Sequence, residues 1–443
     1  MWMYTLAVVA LWVVNPEFRR LLEWRTGFSS VDVLSVAPLL AVVPHMVALA
    51  LGGAWRRVPP VLALGAWCWF GALGYGLIAA ILAGNVASGA YTFANFVFPT
   101  VVGLWVAADD ASGVVKRQRL LRLVVPLTTF VAVYGIVQYA IVPPWDGYWL
   151  ANSGINSAGK PFPFQIRVFS TLNAPGPLGN YMTFALLAVL PACTLRRPLL
   201  LAQVAIWCVV LALSLDRSAW LAFAVGMTIY AAIGARRSTT LGAFAGIAVL
   251  ATVAVMAVPI MTGDELALAH LTDRFSTLSD VENDRSANDR QAVYVEGTQM
   301  FLAAPLGEGL GVIGTATKLG DTQTTTDFDS GYLARLVELG IPGGALFYAA
   351  LAILLAAFVG RWRAASRADD DIARNDASFA VAFCFALFGL QLAGDVYAGF
   401  MSLLLWMVAG CVVPARAVVA RASDAPTPVV RPTFATLRSG AIG

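Results

Sequence analysis

Few residues in this chain could do chemistry, and most of them stand where apolar runs end. Three are arginines: Arg167 in QIRVFSTLNAPGPLGNY, Arg217 in LSLDRSAW and Arg290 in SANDRQAVYVEG. A guanidinium costs about 2.5–3.5 kcal/mol at the centre of a membrane helix and less toward its edge, so one this close to hydrocarbon needs a partner or a purpose. For Arg217 two readings stand. With Asp216 it marks a tight turn and snorkels into water, or it is a fixed cation for an anionic substrate. Arg290 opens an expected helix, where its charge adds to the positive end of the helix dipole, and it reads either as a solvated first-turn charge or as part of an anion site.

The carboxylates and histidines are less specific. Asp327 and Asp329, in TTTDFDSGYLARLVELGIPGG, are two residues apart; such a pair binds a metal, activates a hydroxyl or is simply solvated, the default in a segment with a dozen acids. His45 lies in an apolar run and His270 in a loop. Two isolated histidines give neither a zinc site nor a triad, so no metal and no cofactor are expected. PLGEGLGVIG places Gly309, Gly311 and Gly314 in a GxGxxG match. It follows an expected helix and lacks a βαβ frame, so it reads as a glycine-rich turn rather than a nucleotide loop. The five cysteines are odd in number and lie in apolar runs, as small core residues do.

The elements that must position these residues follow from composition. The 443 residues are 59% hydrophobic and 12% charged, whereas a soluble domain carries about 25% charged residues. Mean hydropathy is +0.74. This is the composition of an integral membrane protein, and it excludes a soluble enzyme with one anchor. Net charge is only +3, and the densest basic cluster is the short KRQRLLR at 116–122, so nucleic acid has no electrostatic footprint here. MWMYTLAVVALWVV has no positive n-region and no small-residue cleavage site, which points to a retained first span.

Apolar runs near 1–14, 31–53, 60–83, 91–108, 121–142, 176–194, 198–215, 218–234, 240–261, 338–360, 377–397 and 400–415 predict about twelve spans. Runs this continuous suit helices rather than the alternating segments of a barrel, so the expected fold class is an all-α, polytopic transmembrane helix bundle. Spans one to five fill 1–142, a first outside loop 143–175, spans six to nine 176–261, a large outside loop 262–336, spans ten to twelve 337–415 and a tail 416–443. The first loop, rich in Gly, Pro, Asn and aromatics, is expected to be irregular. In the second, Ser286 and Asp289 form a capping-box pattern, and Val293, Gly297, Met300, Phe301 and Ala304 recur at helical spacing. That predicts one amphipathic helix on the outer membrane face, ending before Pro305.

Placing both termini and the even-numbered gaps in the cytoplasm puts 18 of the 29 basic residues inside. Arg19, Arg20 and Arg25 break the rule, in the first outside loop. The large loop, with 12 acidic and five basic residues, is negative.

Taken in order, RVFSTLNAPGPLGNY, SLDRSAWLA, NDRQAVYVEGTQMFLAAPLGEGLG and DSGYLARLVELGIPG resemble the O-antigen ligase and polymerase superfamily over about residues 160–350. The resemblance implies a GT-C type, metal-independent transfer of a glycan from undecaprenyl pyrophosphate on the periplasmic face of the bacterial inner membrane. It places the family's arginines on Arg167, Arg217 and Arg290. It also implies contact with membrane lipid and, as protein partners, a flippase and a chain-length regulator. Ligases acting on lipid A core carry His-Asn ahead of an aromatic-Leu pair. Here Asp329 and Ser330 precede Gly331, Tyr332 and Leu333. That departure favours repeat-unit polymerisation into exopolysaccharide or O-antigen over ligation.

Pyrophosphate is already a good leaving group, so the reaction chiefly requires fixed positive charge and an oriented acceptor hydroxyl. Arginine suits this because its planar fork binds phosphate oxygens in pairs and stays charged. On this reading Arg167, Arg217 and Arg290 bracket the pyrophosphate, Asp329 serves the acceptor, Tyr332 lines the site, and the sugar chain lies against Trp145, Tyr148 and Trp149. A transporter or glycan flippase would instead show ionisable residues near the bilayer midplane, and the centres of most runs have none. A non-catalytic assembly partner is the third class.

Overall fold

The structure, a computed structural model, describes residues 1–29, 33–193, 196–234, 242–250, 252–253, 285–319, 328 and 330–415, without the side chains of 156, 285–293 and 315. Helix dominates. Among the described residues β pairing is limited to one bridge, between Gly159 and Ile166.

The helices are α1 (Trp2–Thr26), α2 (Ala37–Leu40), α3 (Val43–Ala50), α4 (Pro60–Leu82), α5 (Val86–Ala108), α6 (Gly113–Ile141), α7 (Pro144–Ser153), α8 (Pro175–Val189), α9 (Pro198–Leu213), α10 (Arg217–Ile233), α11 (Arg285–Ala303), α12 (Gly331–Arg367), α13 (Asp371–Gln391) and α14 (Gly399–Val412). Their starts are chemically marked. Pro60, Pro144, Pro175 and Pro198 stand in the first turn, where a missing N–H costs nothing. Ser112, Asp216, Ser330 and Asp370 are N-caps whose side chains accept backbone N–H groups of the first turn.

Six segments among the described residues are long and apolar enough to cross a bilayer: Val33–Ala50, Pro60–Leu82, Val86–Ala108, Gly113–Ile141, Gly331–Arg367 and Asp371–Gln391. Shorter apolar helices are α9, α10 and α14. Half of the expected span at 240–261 lies outside the described residues; 242–250 is helical.

Several boundaries differ from expectation, each for a local reason. The first helix runs on through its charged residues to Thr26, because Arg20 is fully buried and paired rather than looped into water. The run at 31–53 is interrupted at 41–42 between α2 and α3, each of which carries a proline in its first turn. The basic cluster at 116–122 lies inside α6, where Lys116 Nζ donates to the carbonyls of Val106 at 2.8 Å and Gly410 at 3.2 Å. The first loop, expected to be irregular, contains α7, which Pro144 starts and Gly154 ends in a left-handed conformation. The apolar run expected from 338 is helical from Gly331, with a break at Gly340 (φ 59°, ψ −166°) two residues before Pro342.

Polar contacts sort the bundle into two ends. At one, Trp2 Nε1 donates to Asp109 at 2.9 Å, Arg57 pairs with Asp110 at 3.2 Å, Arg117 with Asp376, and the Tyr230 hydroxyl meets Asn375 at 3.2 Å. At the other lie the end of α1, α7, the 158–174 segment, the start of α10, the glycine turn 305–314 and the start of α12. Arg167, Arg217 and Tyr332 all stand at this second end.

Candidate functional site

Arg167 and Arg217 meet at one turn. The Arg167 guanidinium spans three backbone carbonyls, donating from Nη1 to Ser157 at 2.8 Å, from Nε to Ser214 at 3.2 Å and from Nη2 to Leu215 at 3.0 Å. It therefore fixes the α9–α10 turn against the 157–168 segment. Leu215 has φ +50°, a left-handed conformation, and the chain reverses there. Asp216 then caps α10 by accepting from Ser218 N at 3.0 Å. Arg217, the first residue of α10, is half-buried. The start of α8 packs alongside: a Cβ at Gly179 would lie 2.7 Å from the Ala219 methyl and 3.2 Å from Asp216 Oδ2. The two arginines thus share a rigid corner built by a capped helix and a stapled loop.

The expected amphipathic helix is α11, and it ends two residues before Pro305. It starts at Arg285, earlier than the capping-box pattern suggests, so Arg290 lies in its second turn instead of opening it. The Arg290 side chain is outside the description. Helix α11 lies on the start of α12, where a Cβ at Gly297 would sit 2.4 Å from Leu333 Cδ2, and the Tyr294 hydroxyl donates to Leu392 O at 3.2 Å. Helices α10 and α13 run antiparallel, as the Tyr230–Asn375 contact near one end requires, so Leu392 and Arg217 are at the same end of the bundle. Asp327 and Asp329 lie outside the described residues, while their neighbours Phe328 and Ser330 are buried. The Tyr332 hydroxyl donates to Phe388 O at 3.0 Å, and its ring stacks on Tyr348 at 5.9 Å.

The aromatic segment is held by a buried polar network that sequence reading missed. Arg20 Nε pairs with Asp146 at 2.8 Å with both side chains fully buried, and Arg20 also engages Glu17 and the carbonyls of Ser170 and Leu172. The Tyr134 hydroxyl lies 2.7 Å from both the Glu17 and the Asp146 carboxyl, within reach of donating to either, and Gln138 Nε2 donates to Asp146 at 2.8 Å. Burial pushes the Asp146 carboxyl above the usual carboxylate range, and the Arg20 guanidinium pulls it back. Trp145 Nε1 donates to Glu17 at 2.7 Å. Trp149 is 3% exposed, with its ring against Phe169 and the Arg20 guanidinium 5.6 Å from its centroid. Trp145 and Tyr148 are half-buried, so they carry the accessible part of this aromatic surface.

A second buried cluster lies beneath Tyr332. Arg335 pairs with Glu338 at 2.6 Å and with Asp395 at 3.4 Å, and its guanidinium is 4.8 Å from the Phe96 ring centroid. Glu338 also accepts the backbone N–H groups of Gly311 at 2.9 Å and Ile313 at 3.3 Å. The GxGxxG match is a turn, as expected. A Cβ at Gly309 would lie 2.4 Å from the backbone of Ala80, and one at Gly311 2.4 Å from that of Ser88, so only glycine lets the turn lie on α4 and α5. The signal for the pair was present in the sequence, an Arg and a Glu three apart on a helix, but the expected boundary between the outside loop and span ten fell between them. Among the described residues no group of His, Cys, Asp and Glu could hold a metal ion.

Comparison with protein families finds the O-antigen ligase family model matching residues 202–348, about one third of the chain. The match covers α10, α11, the glycine turn and the start of α12, and it bears out the resemblance to the O-antigen ligase and polymerase superfamily. No curated protein matches the chain.

Proposed function

We propose that this multi-pass membrane protein is a glycosyltransferase that polymerises undecaprenyl-pyrophosphate-linked repeat units into exopolysaccharide or O-antigen at the periplasmic face of the inner membrane. The observation that carries the reading is the turn before Arg217, inside the family-matched region, to whose carbonyls Arg167, which precedes that region, donates. In the reaction the bond between the donor sugar's anomeric carbon and the pyrophosphate oxygen breaks. The acceptor hydroxyl oxygen bonds that carbon, its proton passes to Asp329 and then to water, and polyprenyl pyrophosphate leaves. Arg217 and Arg290 neutralise the leaving anion, and Arg167 holds the Arg217 turn while contributing charge beside it. Trp145 and Tyr148 carry the sugar chain over Trp149, and Tyr332 walls the acceptor side. A flippase supplies the donor and a chain-length regulator limits the product.

Ligation to lipid A core is the second reading, supported by the ligase description of the matched family. The two differ in what accumulates when the protein is absent. Polymerisation is supported by build-up of single lipid-linked repeat units; long unattached chains would replace it with ligation.

A further inference from the structure

Three oxygens in the buried network under the aromatic segment stand closer together than their hydrogens allow if both acids are ionised. Tyr134 Oη lies 2.7 Å from Glu17 Oε1 and 2.7 Å from Asp146 Oδ2. Both separations are those of O–H···O bonds, about 2.5–3.0 Å, so each needs a hydrogen between its oxygens. The phenol supplies one, and it points to one acid only. Trp145 Nε1 donates to Glu17 Oε1 at 2.7 Å and Gln138 Nε2 to Asp146 Oδ2 at 2.8 Å, but those hydrogens stay on nitrogen and bridge no pair of oxygens. One proton therefore belongs to the two carboxyls.

Charge gives the same count. Among the described residues Arg20 is the cation in contact with both acids, with Nε 2.8 Å from Asp146 and Nη2 on Glu17. The remaining charges facing the cluster cancel, because Arg19 on α1 pairs with Glu23 at 3.6 Å. Helices α6 and α7 add the phenols of Tyr134 and Tyr148, and the latter accepts from Phe28 N at 3.1 Å. Helix α14 and the 33–40 segment, which also pack on α1, contain no Asp, Glu, Lys, Arg or His. One protonated acid makes the cluster neutral, whereas two ionised acids leave a net negative charge where Arg20 and Asp146 are fully buried.

We propose that Glu17, Tyr134 and Asp146 form a proton-binding site that holds one proton between two carboxyls, and that this proton keeps the turn before Arg217 in place. Glu17 gives its hydrogen to the phenol oxygen as the phenol gives its own to Asp146, so the proton changes sides and tyrosine stays neutral. A chain of hydrogen bonds joins the site to the turn. Gln138 Oε1 accepts from Phe169 N at 3.0 Å and Ser170 N at 2.8 Å, and Arg20 holds the carbonyls of Ser170 and Leu172. Val168 N then donates to Leu213 O at 3.2 Å, and Arg167 to Ser214 and Leu215. When the proton leaves at higher pH, two anions compete for Arg20 and the 168–172 segment loosens.

The test follows the infrared C=O stretch of protonated carboxyls and the hydrogen exchange of residues 168–172, corrected for intrinsic rate, in the purified full chain in nanodiscs across pH. It uses no glycan donor, so its outcome is independent of the transfer reading. At neutral pH the wild type is expected to show one protonated carboxyl more than Glu17→Gln and one more than Asp146→Asn, because each variant leaves a single acid for Arg20. Tyr134→Phe should move the stretch to higher frequency by removing its hydrogen bond. As pH rises, loss of the wild-type signal and faster exchange at 168–172 should share one midpoint, a step missing from Glu17→Gln. No protonated carboxyl in the wild type at neutral pH, or an equal signal in wild type and either acid variant, overturns the site. Loss of the signal with unchanged exchange overturns its hold on the turn.

Discussion

Arg217 is set in place by its neighbours: Asp216 already satisfies the first amides of α10, and Arg167 pins the two carbonyls before it. Arg217 thus brings its guanidinium to the first residue of a capped helix. Arg217→Lys retains the charge and loses the fork, and the expected outcome is a loss of transfer of about 100-fold or more with normal expression, measured as polymer formed per protein; Arg290→Lys should behave alike. Wild-type rates in both lysine variants would remove the pyrophosphate clamp. Asp329→Asn should abolish transfer and spare binding of the lipid-linked donor, because the arginines are untouched. Asp327→Asn should retain most activity. These arginines stood out in the sequence because charge beside apolar runs is conspicuous. Arg20, Arg335, Asp146 and Glu338 did not, because their burial comes from helices distant in sequence.

Among the elements, α12 carries the most mechanical load. Its first turns sit between the N-cap Ser330 and the break at Gly340, where Ile341 N donates to Pro305 O at 2.8 Å instead of to its own helix. Glu338 joins this short piece to the glycine turn and to Arg335. Glu338→Ala would leave the buried Arg335 guanidinium with the more distant Asp395 as its carboxylate and strand two backbone donors, and a loss of about 3 kcal/mol is expected, read as a lowered Tm of the purified protein in detergent. An unchanged Tm would show that the pair does not hold the turn. The amphipathic α11 was legible from its spacing; the break at Gly340, inside the run read as one span from 338, was not, and neither was α7. Its Gly, Pro and Asn content resembles a loop, and only the pairing of Asp146 with Arg20 shows why a helix is worth forming there.

For the molecule as a whole, the all-α membrane class followed from composition, while the ends of the bundle needed tertiary contacts. The Arg57, Arg117 and Arg374 end lies opposite the Arg167 and Arg217 turn. Reporter fusions after residue 300 and after residue 366 should therefore label opposite faces, periplasmic and cytoplasmic in that order. The reverse labelling would separate the arginine turn from its donor. The most direct measurement places the purified protein in liposomes with lipid-linked repeat units and follows glycan length together with free polyprenyl pyrophosphate. Wild-type protein should lengthen the glycan and release one polyprenyl pyrophosphate per unit added, and Arg217→Lys should do neither. Glycan that stays at one unit with wild-type protein, or release that matches between wild type and Arg217→Lys, would contradict transfer at this turn.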